Sequence, residues 1–562
     1  MSGGRDHSEY ASRYSPAFAS RSMPESLTYD ALIVGYGPVG ATLAALLVRH
    51  GMRVAVAEQA TEVYDKPRAI TLDHEVMRTF QACGAAGEIE KFTAPHPGTH
   101  YLGVDRDVIR IYDPQPPPHP LGWPPSGTFV QPAVEAVLRA CVARSGQADI
   151  FLATRAVGFT PHDDGVEVTL RGPDREPDRV VAARYLLGCD GANSFVRKQL
   201  GIGHEDLAFD EWWMVVDVRL TRPVDLPHKC MQYCWPARPA TFIVGPGNLR
   251  RWEIKLLPGE APEDFDAPHN VRKQLARFVD PDAIEIWRSA VYRFHALVAE
   301  RWRAGRVFLL GDACHQTPPF MGQGMCAGIR DAANLAWKLA LVQRQGARDA
   351  LLDTYEVERK PHVKTLVGLA KKAGEVIGEL DPGAARARDA LLRGQLARGE
   401  QETVRQRFIP NLTTGVLDAA SPEVAGTLFV QPRVHAEAQE GAQEGVQGSA
   451  RVDAGNRLLD DVVAPRFLLV TATAQAQAWL TPQALDLWRR LGGERVVIGT
   501  QARPTDGGIH HLAEQGDLFA GWMTRHGAAA VVVRPDRYVY GIARDRDALN
   551  RMMETLGRQI FG

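Results

Sequence analysis

Residues 29–58 read YDALIVGYGPVGATLAALLVRHGMRVAVAE. Ala31 to Val34 is a short apolar run bounded by glycine, too short for a helix, and predicts a buried parallel strand. Gly35-Tyr36-Gly37-Pro38-Val39-Gly40 is a G-x-G-x-x-G turn. An Ala/Leu-rich helix is predicted from about Val39 to His50, closed by Gly51. A second apolar strand runs from Arg53 to Ala57 and ends at Glu58, with Gln59 beyond it. Gly35 permits the tight turn, Gly37 lets a pyrophosphate approach the backbone, and Gly40 lets the helix pack closely on the sheet. The helix N-terminus offers unpaired N–H groups and partial positive charge to that phosphate. Glu58 stands where a carboxylate accepts hydrogen bonds from a ribose diol. Strand, turn, helix, strand and terminal acid agree on a dinucleotide site, and the stretch does not decide between FAD and NAD.

The 562 residues allow about two to four domains. Lys and Arg total 65 and Asp and Glu 67, a net charge of −2. That balance gives no handle on nucleic acid or an anionic membrane, and neither is an expected partner. No apolar run reaches transmembrane length. Residues 1–28 are polar without a central apolar segment. They read as a disordered leader rather than a secretory signal, so a cytoplasmic protein is expected. The seven cysteines are scattered and odd in number, which suits reduced thiols. Cys314 adjoins His315, and Cys230 lies near Cys234, but no second close-spaced Cys/His pair completes a ligand set. No metal is expected.

Past Glu58, Lys66-Pro67-Arg68 is a loop and Thr71 to Cys83 predicts an amphipathic helix. Arg68, Asp73 and His74 lie where the two meet: solvated loop charges, or a cofactor contact and groups facing a cavity. The Pro-rich stretch within residues 97–127 reads as a surface excursion or a cover over a pocket. Gln131 precedes a helix through Ala140, where an amide can reach a ligand. Phe151 to Thr154 and Val166 to Leu170 predict strands. The apolar run from Tyr185 ends in a turn at Asp190-Gly191, followed by a short helix from Phe195 to Leu200. From Trp212 to His295 the chain breaks into short β-rich runs, an antiparallel sheet with Trp, Tyr, Phe and Met for an aromatic ligand wall or simply for core. Arg306 to Leu310 then predicts a buried strand ending at Gly311-Asp312, where a carboxylate can hold a sugar-like hydroxyl chain. After the Pro318-Pro319 corner, the turn Gly322-Gln323-Gly324 opens a helix through Met325 to Leu341, a second N-terminus free to receive an anion. Tyr355 to Lys371 continues as helix, kinked or restarted near Pro361.

GYGPVG with Glu58, CDGANSFVRKQLG at 189–201 and GDACHQTPPFMGQGMCAGIRDAANLAWKL at 311–339 occur in this order. Over roughly residues 28–400 the set resembles the class A flavoprotein aromatic hydroxylases. The run at 232–260 looks most like the branch acting on 3-(3-hydroxyphenyl)propionate and 3-hydroxycinnamate. The resemblance implies an α/β (α+β) fold. A GR2-type FAD-binding Rossmann-like domain (29–205 and 297–400) would be interleaved with a mixed β-sheet substrate domain (206–296) and followed by a thioredoxin-like domain (410–562). By the same resemblance Gly35, Gly37, Gly40 and Glu58 hold the AMP half of FAD, with Pro38, Val39 and Gln59 in the same stretch. Arg68 and Gln131 contact the ribityl–pyrophosphate region, and Asp190 and Gly191 sit in the motif tied to pyrophosphate and NAD(P)H. Asp312 binds the ribityl chain and the Gly322–Gly324 turn faces the isoalloxazine, with Gly311, Pro319 and Met325 also expected to bind the cofactor. The chain departs from many members in having Cys326 where they have Asn, which bears on flavin positioning.

From about Pro410 the texture changes again. AEAQEGAQEGVQG at 436–448 reads as a flexible insertion. Phe467 to Ala472, Arg495 to Thr500 and Ala529 to Arg534 predict strands, alternating with helical patterns such as Pro482 to Leu491. No cysteine falls in this segment, so C-x-x-C chemistry is excluded there and a packing or assembly role is expected.

The implied reaction is ortho-hydroxylation of a phenolic acid with FAD, O2 and NADH (or NADPH) as transient reductant. The partners would be a small aromatic substrate and O2, with a homodimer allowed. The phenol needs a base of matched pKa: His74 and Asp73 by location, Tyr233 and His295 on the sheet. Arg250 or Arg251 would meet a substrate carboxylate, or be solvated surface. Two other readings share the motifs: a tailoring or inactivating monooxygenase of a polyketide or antibiotic ring, and a catalytically inactive flavin-binding module. Intact flavin motifs argue against the latter.

Overall fold

The computed structural model describes residues 29–173, 177–436 and 456–562. The expected leader and nearly all of the insertion at 436–448 lie outside the described residues. The first sheet has eight strands. Its centre runs Val307–Leu309, Arg179–Gly188, Tyr29–Val34, Val54–Ala57, Ala148–Phe151, with all neighbours parallel. Ala31, Leu32, Ile33 and Val54 to Val56 are fully buried, the near-continuous apolar reading of a strand covered on both faces. The helix Pro38–Arg49 follows the first strand, with proline in its first turn and Gly37 as N-cap. It packs on the long helix Gly324–Gln345. Contact is close there because Gly328 has no side chain: a Cβ would stand 2.6 Å from Val39 Cγ2 and 2.9 Å from the Gly311 Cα.

The second sheet also has eight strands, in the order His315–Gln316, Ile284–Ala299, His204–Leu220, Leu249–Lys255, Ala240–Val244, Cys230–Tyr233, Thr99–Leu102, Val108–Tyr112. The last two precede the Pro-rich stretch, which is loop as expected, and they were not anticipated within 97–127. They form a hairpin at the edge of the sheet, and Thr99–Leu102 pairs parallel with Cys230–Tyr233. Alternation along the strands divides the two faces. Met214, Met231, Tyr233, Phe242, Trp252 and Ile254 form a core with Phe265, Val271 and Leu275 of the short helices Pro262–Asp266 and Pro268–Leu275. The other face carries Val215, Gln232, Thr241, Arg251 and Glu253 and looks into a cavity. The aromatic wall expected for a ligand is thus largely on the far side of the sheet, spent on core.

Two further expectations shift. The helix expected from Thr71 begins at His74, after a strand Thr71–Asp73 that pairs with Ser126–Phe129. Pro361 sits inside one continuous helix, Thr354–Gly378.

The third sheet has eight strands and contains Leu468–Thr471, Glu494–Gly499 and Ala530–Val533 much as expected. Parity again splits its sides. Leu468 and Val470 pack with Phe519 and Trp522. Phe467 and Leu469 pack with Trp488, Tyr540 and Leu556, and this core takes in Trp337 and Leu341 of the long helix. The C-terminal sheet therefore shares a core with the helix that opens at Gly324.

Candidate active site

Between the first two sheets lies a cavity of about 1020 Å³. Gly37, Pro38 and Val39 line it, and so do Gly191, Asp312, Pro319, Gly322, Gly324 and Met325. Segments nearly three hundred positions apart thus face one space, and two helix N-termini open into it. Arg68 and Gln131 are on the same wall. Gln131 Oε1 accepts from the backbone N–H of Arg68 at 3.0 Å and of Ala69 at 2.6 Å, so it fixes the loop. The Arg68 guanidinium lies exposed over the Tyr64 ring.

Gly35, Gly40, Glu58, Gln59, Asp190 and Gly311 are not on the cavity wall and act one layer behind it. Gly35 has φ +98°, and a Cβ there would lie 2.4 Å from the Cys189 carbonyl oxygen. A Cβ on Gly40 would lie 2.0 Å from the Gly35 carbonyl oxygen. Glu58 accepts from the Tyr36 N–H at 2.7 Å and the Ala60 N–H at 2.8 Å, which leaves lone pairs for a diol. Gln59 is exposed. Asp190 Oδ2 accepts from the Val196 N–H at 3.0 Å, while Oδ1 is buried without a partner. Gly311 is fixed by Asp331, whose Oδ2 accepts its N–H at 3.1 Å. Cys326 is buried, with its thiol directed at the carbonyl oxygens of Gly322 and Thr71.

These residues fit a flavin dinucleotide. At Gly37, Gly191 and Gly324, all on the cavity wall, an added Cβ would meet no atom within 4 Å. At Gly37 and Gly324 neither packing nor backbone conformation requires glycine, whereas a ligand pressed against the backbone does; at Gly191 the φ of +78° already favours glycine. Asp312 opens onto the cavity, yet it is enclosed by protein, and this desolvation raises its carboxyl against the pull of His315 and Arg68. Hydroxyl donors of a sugar-like chain would satisfy it. The structure also adds Asp331 to Cys314 and His315, with ligand atoms within 4.8 Å of one another. That carboxylate is already divided between His315 at 2.7 Å and Arg359 at 2.9 Å.

The expected bases divide sharply. Asp73 and His74 are not on the cavity wall. Asp73 caps the helix His74–Ala82, accepting from the Val76 N–H at 3.1 Å, and pairs with Arg330 at 2.6 Å. Burial opposes its charge, but Arg330 holds the carboxyl below its usual range. Burial pushes the His74 imidazole down to about 4, so it is neutral at pH 7. Tyr233 is on the core face of its sheet against Trp235 and Phe278, where burial pushes its hydroxyl up to about 12. Sequence adjacency to the cofactor loop, and membership of the right sheet, suggested these three; side-chain direction removes them. His295 does line the cavity, half-buried, 3.9 Å from the partly exposed Asp210.

Arg250 is turned to its hairpin, donating to the carbonyls of Gly247 and Leu249. Arg251 is on the cavity wall as a clamp. Its fork grips Asp217 at 2.7 and 3.0 Å and donates to the carbonyls of Arg68 and Pro67. Arg288 also donates to the Pro67 carbonyl, at 2.8 Å. This buried Asp217–Arg251–Arg288 group ties the second sheet to the cofactor loop.

Sequence reasoning missed Glu253 and Arg110. Glu253 is 3% exposed and lines the cavity, and burial pushes its carboxyl up to about 7 despite Arg251. Arg110 is half-buried on the edge hairpin over the rings of Tyr101 and Tyr112. The signal for Glu253 was present in Arg251-Trp252-Glu253-Ile254-Lys255, where charge and apolar residues alternate; nothing local says which face meets a ligand.

Residues 28–370 match the FAD binding domain family and residues 426–559 the HcaD C-terminal domain. The 3-(3-hydroxy-phenyl)propionate/3-hydroxycinnamic acid hydroxylase of Comamonas testosteroni is 31% identical over 93% of this chain and 96% of its own. The enzyme of the same description from Mycobacterium sp. (strain JLS) is 35% identical over 91% and 89%. A crystal structure of the flavin-dependent monooxygenase PieE in complex with FAD and substrate shares the fold, with a TM-score of 0.72 over 96% of this chain and 99% of that one at 22% identity. No helix among the described residues is long and apolar enough to cross a membrane. This chain belongs to the class A flavoprotein aromatic hydroxylases, FAD-dependent monooxygenases.

Proposed function

We propose that this protein hydroxylates a phenolic aromatic acid such as 3-(3-hydroxyphenyl)propionate at the carbon ortho to its hydroxyl, using FAD, NADH and O2. One observation carries the reading: a single cavity has glycine-lined helix N-termini at one end and a polar sheet face at the other. Gly37, Gly191 and Gly324 would let FAD lie against backbone, and Asp312 would accept from its ribityl hydroxyls. When bound, FAD would supply the redox chemistry between NADH, O2 and the ring. The chain's own residues then orient and enclose. Phe294, Phe320 and Tyr101 give the aromatic ring an apolar boundary and limit water. Arg110 forms no ion pair among the described residues and would receive the propionate carboxylate.

The test is NADH oxidation and oxygen uptake by FAD-loaded protein. We expect 3-(3-hydroxyphenyl)propionate to stimulate both and to yield a 2,3-dihydroxy product, with 3-phenylpropionate giving no hydroxylated product. If no phenol stimulates NADH oxidation, the reading fails. Replacing Arg110 by leucine is expected to raise KM for the phenolic acid by about 10- to 100-fold, the loss of one charge-assisted contact. Turnover of 3-methylphenol, which has no carboxylate, should be unchanged.

A further inference from the structure

We propose that Glu253 is the group that takes the proton from the substrate's phenolic hydroxyl, with Thr241 and Gln232 beside it on the cavity wall. The inference rests on the phenol-hydroxylase reading above and names the residue that reading leaves open.

Strand register supports it first. Gln232 lies opposite Thr241, and Thr241 opposite Glu253, so the three form one polar row across adjacent strands. The Thr241 hydroxyl donates to Gln232 Oε1 at 2.6 Å. Its proton is thus committed, and its lone pairs remain available beside the Glu253 carboxyl.

Burial and the absence of a partner support it second. Glu253 is 3% exposed, its carboxyl has no hydrogen bond from any described residue, and its oxygens are not among the fully buried unpartnered atoms, so what surface they keep opens onto the cavity. Among the described residues its one ion contact is Arg251 at 3.9 Å, beyond hydrogen-bond reach. That guanidinium is already held by Asp217 and by the carbonyls of Pro67 and Arg68. A buried, unpartnered carboxyl is costly, and a sheet selected for stability alone would place glutamine or an apolar residue there. Only the cavity remains as the source of a donor.

Elimination supports it third. Two histidines line the cavity: the Nδ1 of His96 accepts from the Gly98 N–H at 3.0 Å, and His295 stands half-buried, 3.9 Å from the exposed Asp210 and outside the Gln232–Thr241–Glu253 row. Asp312 belongs to the cofactor end. The remaining acids on the wall, Glu375, Glu379, Glu400 and Glu402, are exposed or half-exposed. The charged groups facing Glu253 are Arg251 on its own strand and Asp217 on the neighbouring one, with Arg288 beyond. Burial and Asp217 favour the neutral acid, Arg251 the carboxylate, and the balance falls near neutral pH, where proton acceptance and release are both accessible.

In the step itself, the phenolic O–H bond breaks and its proton forms an O–H bond on a Glu253 oxygen. The electron pair stays on the phenolate and enriches the ortho carbon. No oxidant or reductant enters this transfer.

The experiment uses FAD-loaded protein with Glu253→Gln, and Thr241→Val as a second variant. Difference absorbance on adding 3-(3-hydroxyphenyl)propionate reads the ionisation of the bound phenol directly. In the wild type the phenolate band should appear well below the free phenol's pKa of about 10. In Glu253→Gln the bound substrate should stay neutral from pH 6 to 9, with hydroxylation slowed by about 100- to 1000-fold and FAD affinity unchanged. The melting temperature at pH 8 should equal or exceed wild type, because an unpartnered buried charge is gone. Thr241→Val should keep a phenolate band, shifted to higher pH, with turnover reduced about tenfold. A Glu253→Gln protein that keeps the wild-type band and pH profile overturns the proposal while leaving the hydroxylase reading intact. A wild type that turns over no phenol overturns both.

Discussion

Gly37→Val is expected to abolish tight FAD binding while the apoprotein remains folded. The two halves of that result come from different atoms. A Cβ on Gly37 would meet nothing within 4 Å, so the substitution displaces no protein. Its φ of −69° is open to any residue, so valine brings no backbone strain of the left-handed kind. The side chain would instead occupy the cavity at the N-terminus of Pro38–Arg49 and hold a pyrophosphate away from the helix N–H groups. Losing one charge-assisted contact of about 2–3 kcal/mol raises the FAD Kd about 100-fold. Isothermal titration of apoprotein with FAD measures it, and the far-ultraviolet spectrum and melting of the apoprotein supply the control. Gly40→Ala should behave in the opposite way. Its Cβ would lie 2.0 Å from a backbone oxygen, and the strand-to-helix turn cannot yield without moving the sheet. That variant should lose stability by on the order of 3 kcal/mol even without FAD. If Gly37→Val bound FAD like the wild type, the cofactor would not lie against this turn.

The contrast between these glycines explains why a dinucleotide turn is legible in the sequence. The dinucleotide turn compresses strand, turn and helix into a dozen residues, and each glycine answers a local constraint. Asp312 could be placed because a strand end followed by a second glycine turn repeats the same logic. Three of the four expected bases could not; only His295 reaches the cavity wall. Asp73 stands next to the cofactor loop in sequence, but its carboxylate is claimed by Arg330, 257 positions away. Tyr233 and Gln232 are adjacent, and one faces core while the other faces the cavity. Period-2 alternation separates the faces, and only the docking of Pro262–Asp266 and Pro268–Leu275 on one of them decides which is wet. The hairpin of Thr99–Leu102 and Val108–Tyr112 was hidden for a related reason. Its proline-rich neighbourhood reads as loop, while its partner strand begins more than a hundred residues later.

Arg534→Ala is expected to destabilise the protein by about 3–5 kcal/mol, the cost of stripping one partner from a buried ionic group. Arg534 sits with no exposure in the C-terminal sheet, where it joins Glu358 and Asp536 at 2.7 Å each. It also donates to the Val416 carbonyl at 3.1 Å. Lys338 reaches Glu358 at 2.9 Å from the long helix, and Trp337 Nε1 donates to Asp536 at 3.1 Å. Removing Arg534 therefore leaves two buried carboxylates and one ammonium at the shared core of the C-terminal sheet and the helix that opens at Gly324. Denaturant unfolding followed by tryptophan emission measures the loss. Arg171→Ala is the control: its pair with Asp178 has a similar 2.8 Å geometry, but both groups are exposed, and the transition should not move. The acid limb carries the same information. Burial opposes ionisation of Glu358, yet Arg534 and Lys338 prevail and hold it down at about 2, below its ordinary 4.5. In this window the unfolded chain binds more protons, so the contribution of Glu358 is complete above pH 4.5 and drains away as pH falls towards 2. In Arg534→Ala the carboxyl loses its main counter-charge and its folded pKa rises towards the unfolded value. The slope of stability against pH between 4.5 and 2 should flatten. An unchanged midpoint and an unchanged slope would mean that the network does not hold the third sheet to the flavin-binding helices.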